Sequence, residues 1–190
     1  LFKASKGVDG LAPAVQQLCQ EASKAVRQGN TIIVLSDRGV DKDNAPIPAL
    51  LATAAVHHHL IREGTRTKVG LAVETGEARE LHHFALLIGY GAGAINPYLA
   101  FETIADMMNQ KLLPADLTYD YAVKNYIKAT RKGLLKIIAK MGISTIHSYR
   151  GNARFETWLY RIVVNVCLDS ARARRARDRS RAHRRRRCRR

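Results

Sequence analysis

The hydrophobic positions near the start of the chain follow a helical spacing. They recur at every third or fourth residue, which predicts an amphipathic helix with one apolar face. Gly29 follows the last of them as a stop signal. The apolar positions are Leu11, Val15, Leu18, Ala22 and Val26.

Two short, β-branched runs then alternate with further helical patterns. Residues 31–36 and 68–74 are apolar at most positions, which is typical of parallel strands that are buried on both faces. A helix is predicted between them, starting at Pro46 and Pro48 and ending near Arg62, and another follows from Glu77 to Tyr90. Strand–helix–strand–helix order implies parallel strands with right-handed crossovers, so the sequence predicts an α/β layer or part of a barrel.

The next segments are predicted to be mainly helical. Residues 89–94 are rich in glycine and predict a flexible hinge between helices. Asn96 is expected to cap a helix that runs to Met108. A long helix is predicted from Leu117 to Met141, with a break at Gly133.

The charge of the chain changes abruptly near Arg150. Residues 1–150 hold 18 Lys and Arg against 13 Asp and Glu, a balance of +5, whereas residues 151–190 hold 14 Arg against 3 acids, a balance of +11. We therefore predict an α/β body over residues 1–150, a helix with one apolar face over residues 151–170, and a disordered, arginine-rich tail over residues 171–190. Such a tail binds DNA or other polyanions without sequence preference.

The cysteines and the hydropathy of the chain indicate a cytoplasmic protein. Cys19, Cys167 and Cys188 are far apart and form no zinc-binding spacing, which indicates a reducing compartment. No apolar run reaches the length of about 18 residues that a membrane span needs, so no membrane partner is expected. The chain begins with Leu rather than Met, from which we expect a segment cut from a longer polypeptide.

The best-placed candidates for a ligand site follow the two predicted strands. Ser36, Asp37 and Arg38 come after the first strand, and residues 74–77, beginning with Glu74, come after the second. Ligands of α/β proteins bind at these carboxyl ends of strands. The alternative, which we favour, is that the acids cap helices and pair with Arg38 or Arg79.

Two other patterns suggest chemistry only weakly. His57, His58 and His59 are adjacent on a predicted helix and point about 100° apart, so they cannot converge on one metal ion without His82 or His83 from the next helix. Residues 89–93 follow a helix, whereas a phosphate-binding loop lies between a strand and a helix. We therefore predict no catalytic, cofactor-binding or metal-binding residue in this chain.

Nine strings along the first 151 residues resemble one family. Together they are similar to the C-terminal half of the central domain of the glutamate synthase large subunit. The strings are residues 33–38, 45–52, 73–79, 82–84, 88–92, 96–100, 133–137, 140–145 and 148–151.

This resemblance implies a fold and a place in a larger enzyme. The family makes glutamate from glutamine and 2-oxoglutarate, and its central domain is a partial barrel-like α/β body. That domain links an amidotransferase domain, which releases ammonia, to a barrel that binds FMN and an iron–sulfur cluster. The resemblance implies that these partner domains and cofactors lie outside the matched residues. It also implies that a segment of such a domain exposes surfaces that the whole domain covers.

The segment after residue 151 resembles a different family. Residues 153–162, with Asn165 and Asp169, are similar to region 2 of an extracytoplasmic-function sigma factor. This resemblance implies an aromatic and basic helix that lies along promoter DNA, and the alternative is a helix that packs onto the α/β body. The candidate nucleic-acid contacts are Trp158, Tyr160, Arg161, Arg172, Arg174 and Arg175.

Overall fold

A computed structural model of the 190-residue chain describes residues 1–141. The chain divides into two compact units, residues 1–137 and residues 138–190, and the description below concerns the first. The predictions for the helix at 151–170 and the tail at 171–190 lie outside the described residues. Within residues 1–141, no helix combines the length and the apolar character needed to cross a membrane.

A parallel sheet of three strands lies at the centre of the fold. Its strands are β2 (Ile32–Ser36), β4 (Gly70–Glu74) and β5 (Ala94–Asn96), in the order β2-β4-β5. The sheet confirms the α/β prediction, because each pair of neighbouring strands is joined through a helix. A separate antiparallel pair, β1 (Phe2–Lys3) with β3 (Asn44–Ala45), links the start of the chain to the segment before the second helix.

Five α-helices accompany these strands in the described residues, besides two short 3₁₀ helices at Ala4–Gly10 and Arg66–Lys68. The first, second and fourth agree closely with the sequence prediction. Their bounds are α1 (Leu11–Arg27), α2 (Ala49–Arg62), α3 (Leu81–Gly89), α4 (Tyr98–Asn109) and α5 (Tyr119–Lys140).

The helices α1 and α2 bury one face of the sheet. Ile33 pairs in register with Leu71, so both side chains point to the same face, where they join one apolar cluster with side chains of the two helices. Val56 and Leu60 of α2 are completely buried in this cluster. Full burial of one such side chain contributes about 1.5–3 kcal/mol, so this face supplies much of the folding free energy.

The other face of the sheet is exposed. The prediction that the strands are buried on both faces is wrong for β2, where Ile32 is 68% exposed and Val34 is 59% exposed. A β-branched run has the same composition whether one or both faces are covered, so the sequence did not distinguish the two cases.

The third helix starts later than predicted because Glu77 has another role. Glu77 does not lie in α3; its Oε2 accepts the backbone N–H of Ala49 at 2.9 Å, at the start of α2. His83 Nδ1 accepts the N–H groups of Arg79 and Glu80 at 3.2 and 3.3 Å, which orders the turn before α3. An acid therefore lies at the start of each helix, with Glu77 at α2 and Glu80 at the N-cap position of α3.

The predicted hinge at residues 89–94 is instead a turn that leads into a strand. Gly93 donates its N–H to the carbonyl of Leu71 at 2.7 Å, and β5 begins at the next residue. Asn96 therefore ends a strand, and α4 starts after Pro97 rather than at an Asn96 cap. A strand of three residues is too short to produce a recognisable alternation.

Helix α5 is continuous through Gly133, so the predicted break is wrong. A Cβ atom on Gly133 would lie 2.6 Å from Cδ2 of Leu81. The glycine therefore allows α5 to approach the start of α3 closely, and packing explains its presence better than chain flexibility.

A partly buried network around Arg66 holds the amino-terminal side of the sheet. Arg66 Nε donates to His57 Nδ1 at 2.9 Å, and its two terminal nitrogens donate to the carbonyls of Val69 at 2.8 Å and Gly91 at 2.7 Å. Gly91 has a φ of +105°, and a Cβ there would lie 2.1 Å from His57 Nδ1, so a glycine is required. Burial, followed by the charge of Arg66, lowers the pKa of His57 to about 4.

We predict that His57 makes the fold less stable in mild acid. The pKa of His57 is about 4 in the folded state and 6.5 ordinarily, so as the pH is lowered the imidazole binds a proton in the unfolded chain first. The free energy of unfolding therefore decreases as the pH is lowered from about 6.5 to about 4. The shift corresponds to about 3 kcal/mol, which solvent around the half-buried ring reduces to about 1–2 kcal/mol. The variant His57→Gln keeps an acceptor for Arg66 but cannot take up this proton.

Urea denaturation of both proteins from about pH 8 down to about pH 5 measures this effect. The wild type should lose about 1 kcal/mol more than His57→Gln over that interval. Comparing each protein with itself at the higher pH removes any constant packing cost of the substitution. Parallel stability profiles for the two proteins would contradict the prediction.

Candidate functional site

The residues that follow β2 and β4 meet at one edge of the sheet, as the parallel order predicts. We call Ser36, Asp37, Arg38, Glu74 and Thr75, together with Asn96, Tyr98 and Glu102, the strand-end cluster. Glu74 lies at its centre. Its carboxylate accepts hydrogen bonds from Ser36 Oγ at 2.7 Å, Arg38 Nε at 2.8 Å and Asn96 Nδ2 at 3.1 Å.

Arg38 is held by two carboxylates and an aromatic ring. Its guanidinium contacts Glu74 and also donates to Glu102 Oε1 at 3.2 Å, and its Cζ lies 4.1 Å from the centroid of the Tyr98 ring. The hydrogen bond to Glu74 raises the pKa of Arg38, and the bonds from Ser36 and Arg38 lower the pKa of Glu74. Both groups are therefore charged at neutral pH, and each is neutralised locally by the other.

Asp37 is the buried acid of the cluster. Its carboxylate accepts the hydroxyl of Thr75 at 2.5 Å and the N–H of Gly76 at 3.1 Å. Burial, followed by the hydrogen bond to Asp37 and the charge of Asp37, raises the pKa of Tyr98 to about 12. Asp37 thus connects the end of β2 with the loop after β4 and with the start of α4.

The arrangement confirms the structural interpretation of these acids. Glu74 pairs with Arg38, and Glu77 caps α2, as that alternative predicts. The space beneath the cluster has a volume of about 50 Å³, lined by Asp37, Thr75 and apolar side chains that include Leu35 and Val73. This volume holds only a few water molecules.

Three members of the strand-end cluster were missed by the sequence prediction, namely Asn96, which ends β5, and Tyr98 and Glu102. Tyr98 and Glu102 belong to the first turns of α4, which follows β5 directly. Because β5 was not predicted as a strand, nothing in the sequence placed the start of α4 beside Arg38. An aromatic residue four positions before an acid on a helix is a common pattern and is not a signal of a site.

The histidines are engaged in separate hydrogen-bond networks. His57 contacts Arg66, His83 orders the turn before α3, and His59 Nε2 lies 2.8 Å from Ser23 Oγ and 3.3 Å from Glu63. In the part of the chain that the structure describes, no three His, Cys, Asp or Glu side chains form a group that could hold a metal ion. These positions agree with the interpretation of the histidines as packing residues.

Ser23, His59 and Glu63 have the residue types of a catalytic triad but a different hydrogen-bond order. Ser23 donates its one proton to Glu63 Oε2 at 2.6 Å, so His59 donates to the serine oxygen instead of accepting from it. Ser23 is also 3% exposed. A hydroxyl without a base and without access to substrate is not a nucleophile, and its role is to join α1 to α2.

An apolar cleft lies between α3, β5, α4 and α5. Its volume is about 300 Å³, and its walls include Phe84, Ile95, Phe101 and Tyr126, with Arg131 among the lining residues. The ring of Tyr126 meets the other two rings edge to face at 6.4 and 6.1 Å. Four elements from distant parts of the sequence build this cleft, so no local pattern predicted it.

The predicted nucleic-acid contacts lie outside the described residues. They are Trp158, Tyr160, Arg161, Arg172, Arg174 and Arg175. These contacts therefore remain predictions from the sequence.

Comparison with known families gives two matches along the chain. The profile of the family described as the glutamate synthase central domain matches residues 1–158, and that of sigma-70 region 2 matches residues 142–177. The two matches overlap at residues 142–158, a range that contains the boundary predicted near Arg150. The whole strand-end cluster lies within the first match.

Individual relatives resemble the chain over most of its length. "Glutamate synthase [NADH]" of Schizosaccharomyces pombe is 42% identical over 168 residues, covering 88% of this chain and 8% of that protein. "Glutamate synthase [NADPH] large chain" of Bacillus subtilis is 49% identical over 148 residues, covering 78% and 10%. "Ferredoxin-dependent glutamate synthase" of Pyropia yezoensis is 47% identical over 167 residues, covering 82% and 11%. The chain thus spans about a tenth of the length of these relatives.

We predict that Asp37 contributes strongly to stability. The variant Asp37→Ala leaves the hydroxyl of Thr75, which is 1% exposed, and the N–H of Gly76 without their acceptor. Loss of such a buried charged acceptor costs about 2–4 kcal/mol in the free energy of unfolding. Asp37→Asn keeps one carbonyl acceptor and should cost less.

Urea denaturation measures both variants against Asp106→Ala as the control. The side chain of Asp106 is exposed and accepts one hydrogen bond, from the side chain of Gln110 one turn along α4. Its replacement should therefore change the free energy of unfolding by less than about 0.5 kcal/mol. An Asp37→Ala variant as stable as the control would show that the buried carboxylate is not needed.

Proposed function

We propose that this chain, which belongs to the family of glutamate synthase central domains, forms a structural section of a glutamate synthase and catalyses no step by itself. The observation that carries the proposal is the state of the strand-end cluster. Its acids and its arginine bind one another, and the space beneath them holds only a few water molecules. Groups arranged in this way stabilise an edge of a sheet rather than bind a substrate.

The proposed setting is a cytoplasmic enzyme that makes glutamate from glutamine and 2-oxoglutarate and thereby assimilates ammonia. The chain would stand between the amidotransferase domain, which releases ammonia, and the flavin barrel, which uses it. Its partners would be those two domains. An electron donor is named for each relative, NADH, NADPH or ferredoxin, and the donor differs between them, so no donor is proposed here.

Neither the cysteine content of the described residues nor the strand-end cluster is suited to the cofactors of that enzyme. An iron–sulfur cluster needs several thiolates, and Cys19, which is buried, is the one cysteine within residues 1–141. The space beneath the strand-end cluster, with a volume of about 50 Å³, is smaller than a flavin ring. FMN and the cluster are therefore proposed to bind in other parts of the parent enzyme.

A domain exchange tests the proposed role. Residues 1–150 of this chain would replace the matching segment of the Bacillus subtilis large chain, which is 49% identical. We expect the hybrid to form glutamate from glutamine within roughly tenfold of the parent rate, a difference of about 1.4 kcal/mol in barrier height. The isolated chain should be colourless and form no glutamate.

The control is the same hybrid with Asp37→Ala, which should lose activity together with thermal stability. A well-folded hybrid with no glutamate formation would contradict the linking role. An isolated chain that purifies with flavin absorbance would contradict the proposed absence of a cofactor site.

A second candidate function, nucleic-acid binding, is supported by the match to sigma-70 region 2 over residues 142–177. In addition, residues 151–190 carry 14 Arg and 3 acids. Arginines of such a segment bind phosphates, and aromatic side chains such as Trp158 and Tyr160 stack on unpaired bases.

We predict that this binding weakens steeply with salt. Contact with about six phosphates gives a slope near −5 for log K against log salt concentration on duplex DNA. Replacing Arg172, Arg174 and Arg175 together by alanine should flatten the slope by about 2.7, since each released phosphate accounts for about 0.9. Fluorescence anisotropy with labelled duplexes measures both slopes.

The control is the chain without residues 151–190, which should not bind. Binding that persists after this deletion, or that is insensitive to salt, would contradict the prediction. A preference for promoter sequence is a separate question, because any arginine-rich segment binds polyanions.

A further inference from the structure

Helix α5 carries a row of exposed cations along one side. Four lysines recur at intervals of four residues, so their side chains share one face of the helix. An arginine lies beside them, and all five side chains are exposed. We call these residues the basic row: Lys124, Lys128, Arg131, Lys132 and Lys136.

The other side of α5 packs against the α/β body, which fixes the direction of the basic row. The ring of Tyr126 meets that of Phe101 edge to face at 6.1 Å, and Gly133 lies against the side chain of Leu81. On a helix with 3.6 residues per turn, positions 126 and 133 point about 140–160° away from Lys128. The cations of the row therefore face solvent and take no part in the packing of α5.

No acid neutralises the basic row in the part of the chain that the structure describes. None of its five side chains forms a salt bridge within residues 1–141. Residues 121–141 contain no Asp or Glu, and the nearest acid along the helix is Asp120, one turn before Lys124. Like charges at positions i and i+4 destabilise a helix, and solvated helices commonly mix acids among their lysines. The row thus weakens α5 in isolation, and an anionic partner would remove this repulsion.

The form of α5 favours a nucleic acid over a membrane surface. A membrane-binding helix inserts its apolar face into the lipid, whereas the apolar face of α5 packs on the α/β body. On the exposed side, Tyr121 and Leu135 are single apolar side chains that stand among the cations, 57% and 54% exposed. An exposed tyrosine among cations can stack on a base while the charges bind phosphates.

The position of the basic row along the chain supports the same partner. Helix α5 ends at Lys140, and the match to sigma-70 region 2 begins at residue 142. A nucleic acid that is bound by the arginines after residue 151 is therefore tethered to the row by a short stretch of chain. Such a tether gives the row an effective concentration of phosphates in the millimolar range.

We propose that the basic row is part of a nucleic-acid-binding surface and contacts phosphates of the same nucleic acid that residues 151–190 bind. This inference rests on the second candidate function, which it extends from the arginine-rich segment to the α/β body. The row spans about 18 Å of helix axis, and a duplex presents one phosphate charge per about 1.7 Å, so the whole row can meet phosphates at once. Without residues 151–190 the row loses its tether, and its contacts are too weak to measure at the concentrations where the full chain binds.

Fluorescence anisotropy of the full 190-residue chain, freed of nucleic acid, with a labelled duplex tests the proposal. The triple variant Lys128→Gln, Lys132→Gln and Lys136→Gln removes three charges and keeps good helix formers. Its slope of log K against log salt concentration should be flatter by about 2.7. Between about 50 and about 200 mM salt, the wild type should then lose about fortyfold more affinity than the variant. Arginine at the same three positions keeps the charges and should preserve the wild-type slope.

The matched control is the triple variant Lys6→Gln, Lys24→Gln and Lys42→Gln, which removes the same charge from exposed lysines of other elements. Its slope should equal that of the wild type. Thermal unfolding at low salt provides a second readout. The α5 variant should unfold at or above the wild-type temperature, because it lacks the repulsion within the row, so weaker binding would not be due to unfolding.

Three outcomes would overturn the proposal. If the α5 variant keeps the wild-type slope while replacement of Arg172, Arg174 and Arg175 flattens it, the contacts are confined to the arginine-rich segment and the second candidate function stands; loss of polyglutamate binding by that α5 variant would assign the row to an acidic protein. A control variant that flattens the slope as much as the α5 variant would show an effect of net charge alone. A wild type that does not bind the duplex at about 50 mM salt would exclude both this inference and the second candidate function.

Discussion

The strand-end cluster depends on the hydrogen bonds that the buried carboxylate of Asp37 accepts. It accepts the Thr75 hydroxyl and the Gly76 N–H, which fixes the turn after β4. That turn places Glu77 where it accepts the first N–H of α2. On its other side Asp37 binds Tyr98, whose ring lies against Arg38. One acid at the end of β2 therefore positions the starts of α2 and α4, although neither helix is next to it in sequence.

The parts of the fold that the sequence predicted are those with a long pattern. Helix α1 presents its apolar face over 17 residues, and β2 follows it as a β-branched run. Strand β5 has three residues and lies after a glycine-rich turn, so its pairing with β4 depends on backbone hydrogen bonds that no side-chain pattern records. Gly133 is the opposite case, since a residue that breaks isolated helices lies here inside a continuous helix, where it faces the side chain of Leu81.

The sequence predicted the part of the candidate site that follows from the order of the parallel strands. Parallel order brings the ends of β2 and β4 together, which is why Ser36, Arg38 and Glu74 meet as expected. Topology does not decide what such residues do. Whether an acid binds a ligand or a neighbouring arginine depends on distances of a few tenths of an ångström, which the sequence does not contain. The same limit applies to Ser23 and His59, whose contact joins α1 to α2.

Glu74 is in register with Ser36 and Asn96 on the face of the sheet that α1 and α2 do not cover, so its hydrogen bonds bear on whether that face binds a substrate. A carboxylate on an exposed face that was kept for a substrate would leave acceptor positions open toward that face. Glu74 instead accepts from Ser36, Arg38 and Asn96, three donors that all belong to the sheet edge itself. With three donors bound and its charge balanced by Arg38, the acid holds the edge of the sheet together.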